Sequence, residues 1–227
     1  MTIPAAQDPL IRRGTVLTVI GLLLLALVYV QAIGFTPLER WQGQAHKILY
    51  LHAPVAYMTL SAFMLAGLAS AAYLFLRDRR LDTFAEATSE VGLVFGAVML
   101  TTGPLWAKPI WGAWWQWEPR LTLTLLLVLL FVGYRALRNA IDDPDERARY
   151  SAVVGIMALA MVPFVHLSVY LFRTIHPQPV LLKPSRPDMP PEMLRTLLFS
   201  IAVFTFLYIG LVTLRYALGR RRIARSS

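Results

Sequence analysis

The side chains best suited to chemistry in this sequence are its histidines and tryptophans, and they gather in few places. Cysteine is absent, which excludes disulfides, thiolate catalysis, iron–sulfur clusters and covalent attachment of a cofactor through the chain's own thiols. Metal chemistry must therefore use histidine, methionine or carboxylate. Five of the six tryptophans fall between Trp106 and Trp117. An aromatic belt at a membrane surface accounts for one or two tryptophans per helix end, not for five in one connection. Taken as an amphipathic helical stretch, Trp111, Trp114, Trp115 and Glu118 share one face through i, i+3 and i+4 spacing. Such a face is a broad apolar plate on which a large planar aromatic ligand can stack, with Lys108, Arg120 and Arg173 near enough to pair with carboxylates on that ligand.

Two histidines add to this. His52 stands just before Pro54, and His166 stands three residues after Pro163. Either alone reads better as a hydrogen-bonded interior histidine. Placed on helices that run in opposite directions they reach a similar depth beside the tryptophans, as a pair of axial iron ligands would. Pro163 is expected to kink its helix and open space there. His46 and His176 are expected in wetter loops, as weaker ligand candidates better suited to a partner surface. Met58, Met64 and Met161 read as packing. No nucleophile and base pair is apparent, so the residues favour a binding protein over an enzyme.

The elements that must position these groups are membrane spans. Hydrophobic residues make up 57% of the chain and charged ones only 15%, against roughly 25% charged in soluble domains. Six segments approach the roughly 20 apolar residues needed to cross a bilayer: 15–33, 54–76, 91–106, 121–137, 151–172 and 196–218. The third is short, and Thr83–Glu90 can extend it. The expected fold is therefore all-α, a bundle of six transmembrane helices forming one membrane domain over residues 1–227. The first span reads as an uncleaved helix, because its apolar run exceeds a signal-peptide core.

The net charge of +9 does not point to nucleic acid, because the basic residues sit in clusters between the spans. Arg12–Arg13, 77–80, 138–149 and the tail Arg220, Arg221, Arg222 and Arg225 alternate with the connections 34–49, 107–120 and 173–195. The positive-inside rule then puts both termini in the cytoplasm and the Trp-rich loop, 107–120, on the outer face.

At these residues the chain resembles the haem exporter protein C (CcmC) family of bacterial cytochrome c maturation, within the superfamily named for its WWD motif. The resemblance rests on Lys47-Ile-Leu-Tyr-Leu-His52-Ala-Pro54, on Trp106-Ala-Lys108-Pro-Ile-Trp111-Gly112-Ala-Trp114-Trp115-Gln-Trp117-Glu118-Pro-Arg120-Leu121-Thr122, on Val162-Pro163-Phe-Val-His166-Leu-Ser168-Val, and on Thr174-Ile-His176-Pro-Gln178. It covers nearly the whole chain. Where most members carry Asp after the last tryptophan, this chain has Glu118 followed by Pro119, a carboxylate reaching one methylene further.

The resemblance implies a non-catalytic haem handler in the bacterial inner membrane. Haem b would be held non-covalently on the periplasmic face between His52 and His166, against Trp111, Gly112, Trp114, Trp115, Trp117 and Glu118, with Lys108 and Arg120 on its propionates. It also implies delivery to the haem chaperone CcmE, and association with the ATP-binding cassette pair CcmA and CcmB and with the small subunit CcmD. Two other readings of the residues stay open. An electron-transfer cytochrome b would also bind haem, although no span carries two buried histidines at opposite ends. A membrane transporter of haem or another solute would need mid-span ionisable residues or broken helices, of which the spans offer little beyond Glu90.

Overall fold

The computed structural model describes residues 8–183 and 185–226, and the Arg225 side chain lies outside the described ones. Six helices are long and apolar enough to cross a membrane: α1 Pro9–Val30, α2 Leu49–Leu76, α3 Arg79–Trp111, α4 Pro119–Ala140, α5 Pro144–Leu171 and α6 Pro191–Ser226. Their starts follow from local chemistry. Asp8, Glu118 and Asp143 each cap a helix whose first residue is proline, accepting from Leu10 N, Leu121 N, and the amides of Asp145 and Glu146. A carboxylate at the cap satisfies free amides, and a proline after it gives up no hydrogen bond. Asp78 caps α3 in the same way, through Arg80 N. The short third span thus begins at Arg79 and includes Thr83–Glu90, the extension the sequence allowed.

Alternation of the six helices leaves one end of the bundle rich in tryptophan and the other rich in arginine. The first and last helices pack closely along their length. A Cβ on Gly14 would meet the Leu214 backbone at 2.6 Å, and one on Gly210 would meet Thr18 N at 2.7 Å. Only glycine lets the two backbones come this near. The centre is filled by side chains of α2 to α6, including Phe63 stacked on Phe131 at 3.9 Å with Tyr134 and Phe95 beside them.

At the arginine-rich end, α3 presents Asp82, Glu86 and Glu90 at successive turns. Arg138 of α4 reaches both Asp82 oxygens, at 2.6 and 3.0 Å, and Glu86 at 3.2 Å. Arg135 bridges Glu86 at 3.0 Å and Glu90 at 2.5 Å, and Arg215 of α6 pairs with Glu90. Three carboxylates facing three guanidinium groups make a neutral ladder, which is how charge is tolerated in such helices.

At the other end prolines lie inside the helices. Pro54 inside α2 has no N–H to give the Tyr50 carbonyl, and the Ser200 hydroxyl of α6 donates to that oxygen instead. Pro104 and Pro109 interrupt α3 near its end. The helix stops at Gly112, whose φ of +73° is the left-handed conformation that residues with a Cβ avoid. Residues 112–118 are non-helical. The helical face expected for Trp111, Trp114, Trp115 and Glu118 is therefore corrected: only Trp111 ends a helix, and Glu118 begins the next as a cap.

Candidate functional site

A cavity of about 490 Å³ opens among α2, α3, α4, α5 and the connection between α5 and α6 at the Trp-rich end. That size lies within the 300–1,000 Å³ usual for small-molecule sites. Along α3 its wall runs from Met99 to Trp111, about 18 Å at 1.5 Å per residue. It is a slot that descends between helices, where the sequence suggested a flat plate at the surface.

All four histidines of the chain line this slot. His52 sits in the first turn of α2, its ring edge-on to Trp106 at 5.8 Å and its Nδ1 3.0 Å from the Thr102 hydroxyl of α3. His166 lines the slot from α5, with Tyr170 beside it at 6.3 Å. His176 is half-buried rather than on the outer surface. Its Nδ1 lies 2.8 Å from the Pro177 carbonyl, which can only accept, so Nδ1 carries the proton and Nε2 the lone pair. Burial, with the Arg120 guanidinium adding to it, lowers this imidazole to a pKa of about 4, so it is neutral at neutral pH.

His46 corrects the expectation of a wet loop residue. Gly43, at φ +54°, turns the chain into a short helical turn over Gln44–Ile48. That turn leaves His46 only 7% exposed, with Tyr50 and Trp106 edge-on at 5.9 and 6.3 Å. Its Nδ1 and the Nε1 of Trp115 are buried without a partner among the described residues. Unpaired polar atoms beside a cavity are costly in an empty protein and suit one that holds a ligand.

The tryptophan segment divides. Trp106, Trp111, Trp114 and Trp115 line the slot. Trp117 is 78% exposed and touches Trp115 edge-on at 5.9 Å, facing a shallow outer groove with Trp111, Gln116, Glu118 and Ile175. Gly112 and Lys108 stand outside the slot: Lys108 Nζ donates to the Gly112 carbonyl at 2.9 Å and lies 6.0 Å over the Trp114 ring. Glu118 holds loops together, accepting from Leu121 N at 2.7 Å and from the Thr174 hydroxyl. Arg120 faces the slot and donates to the Val165 carbonyl at 3.2 Å, next to His166.

Three features of the slot go beyond what spacing suggested. Thr102 touches His52 from the next helix. Lys183 and Asp188 line the rim from the Pro-rich connection, and Tyr57 ties that connection down by donating to the Leu181 carbonyl at 3.3 Å. Thr102 carried one sequence signal, its place in Thr-Gly-Pro at a helix interruption.

The family model described as heme exporter protein C matches residues 6–227. The chain belongs to this family. It is 32% identical over 195 residues to heme exporter protein C of Haemophilus influenzae, covering 86% of this chain and 79% of that protein. The proteins of the same name from Bradyrhizobium diazoefficiens and Escherichia coli are 33% and 31% identical. They cover 88% of this chain each, and 77% and 80% of their own lengths. Family membership and six apolar helices make the chain a multi-pass membrane protein.

Proposed function

We propose that this protein is a haem handler of cytochrome c maturation and not an enzyme. It would bind haem b non-covalently in the histidine-lined slot and release it to the haem chaperone CcmE. The observation that carries the reading is the convergence of four imidazoles, four indoles and a guanidinium on one cavity in a chain of this family. A porphyrin is flat and apolar with two carboxylates on one edge. The slot offers indole and aliphatic walls, neutral nitrogens for iron, and Arg120 and Lys183 for the propionates. Lys108 is the weaker propionate partner, since it is engaged with Gly112.

His52 is the first axial ligand in this reading. The second comes from His166 or His176. His176 is favoured by its place in the same slot and by the bond from its Nδ1 to Pro177, which leaves Nε2 to carry the lone pair. With the basic clusters inside, the Trp-rich end faces the periplasm across the inner membrane, where a chaperone can reach the haem edge. CcmA, CcmB and CcmD would use ATP to release the loaded chaperone.

Purified protein supplied with haem in detergent tests this through its visible spectrum. A six-coordinate low-spin form is expected, lost in His52→Ala and in one of His166→Ala and His176→Ala, the one affected naming the second ligand. Spectra unchanged in all three variants would overturn the ligand assignment, and failure to take up haem would overturn the function.

A further inference from the structure

The environment of His52 contains more than a ligand needs. Thr102 of α3 is 8% exposed, and its hydroxyl lies 3.0 Å from His52 Nδ1. A hydroxyl has one proton. That of Thr102 is committed to its own helix, with the Val98 carbonyl 2.8 Å away, the usual back-bond of a helical threonine. The hydroxyl can then only accept from the imidazole, so Nδ1 must donate. The Met99 carbonyl, 3.3 Å from the same hydroxyl, is a second acceptor for that one proton within the helix.

The backbone lets the ring sit there. Gly103 allows the imidazole to lie against the helix: a Cβ at this position would stand 3.2 Å from His52 Cε1. Thr102 and Gly103 thus form a seat for one edge of one ring.

We propose that Thr102 holds His52 as the Nδ1–H tautomer and keeps Nε2 as the nitrogen offered to iron, making Thr102 the positioning residue of the site. This rests on the haem-handling reading. Metal-bound histidines commonly donate their other N–H to a neighbour that fixes ring and tautomer, and loss of that neighbour costs about 10–100-fold in metal affinity.

Nitrogen NMR of the full chain with ¹⁵N-labelled histidine, free of haem and in lipid nanodiscs, reads the tautomer directly. Only four histidines contribute, and His52→Ala assigns the signal. The expected result is a protonated Nδ1 and a bare Nε2 on His52. A bare Nδ1, or rapid averaging between the two forms, overturns the proposal. In haem titrations Thr102→Val is expected to weaken binding about 10–100-fold and to move the spectrum from low spin toward high spin, with Thr102→Ser restoring both. Wild-type affinity in Thr102→Val also overturns it. If His52→Ala itself binds haem like wild type, the ligand assignment falls while the tautomer result stands on its own.

Discussion

The two ends of this bundle solve opposite problems. At the arginine-rich end, Asp82, Glu86 and Glu90 meet Arg135, Arg138 and Arg215, and the side chains are spent on one another. Arg138 is 4% exposed there. At the Trp-rich end, the helices carry internal prolines and α3 stops at a glycine, and the His46 Nδ1 is buried with no partner among the described residues. One end is closed by charge pairing, and the other is held open by backbone devices. Binding capacity in this fold therefore lies where polar groups are left unspent, and stability lies where they are paired.

That contrast sets the scale of what substitutions should do. The largest effect belongs to the ladder. Arg138→Ala leaves Asp82 buried without its partner and is expected to cost about 3–5 kcal/mol of stability. Thermal unfolding in detergent measures this, and replacing both Asp82 and Arg138 with apolar residues should recover most of the loss. An unchanged midpoint in the single variant would break the comparison at its stable end.

Next comes the stop of α3. Gly112→Ala puts a Cβ into a left-handed residue and is expected to cost about 1–2 kcal/mol, while shifting Trp114 and Trp115 enough to alter tryptophan fluorescence. Glu118→Ala removes the cap of α4 and the link to Thr174. It should cost about 1 kcal/mol and expose the connection after α5 to limited proteolysis. Glu118→Asp keeps a capping carboxylate and should cost only a few tenths of that. Smallest is Lys108→Ala, which loses an exposed contact to Gly112; about 0.5 kcal/mol and haem affinity within twofold of wild type are expected. A large loss of affinity there would return Lys108 to the propionates and sharpen the map of the site.

Much of this architecture was legible in the chain. Apolar runs marked the six spans, while the capping carboxylates at Asp8, Glu118 and Asp143 came from the structure. His52, His166 and the tryptophan segment stood out by type and spacing. What stayed hidden depends on contacts distant in sequence. Arg138 and Asp82 are 56 positions apart, and by sequence Arg138 reads only as part of the basic segment 138–149. His46 is buried because Gly43 turns the chain inward, which composition does not report. The fold of the connection after α5 brings His176 into the slot that His52 lines, and no periodicity describes such a segment. The tryptophans failed as a helix because one left-handed glycine outweighs their spacing.

The central claim is that His52 binds haem without holding the fold together. Haem titration of the intact protein in nanodiscs, with thermal unfolding of the same haem-free samples, tests it in one pair of curves for wild type and His52→Ala. The account predicts that the variant loses low-spin haem while its melting midpoint stays at the wild-type value. Undiminished haem binding, or a loss of binding that comes only with a collapse of the melting midpoint, would contradict it.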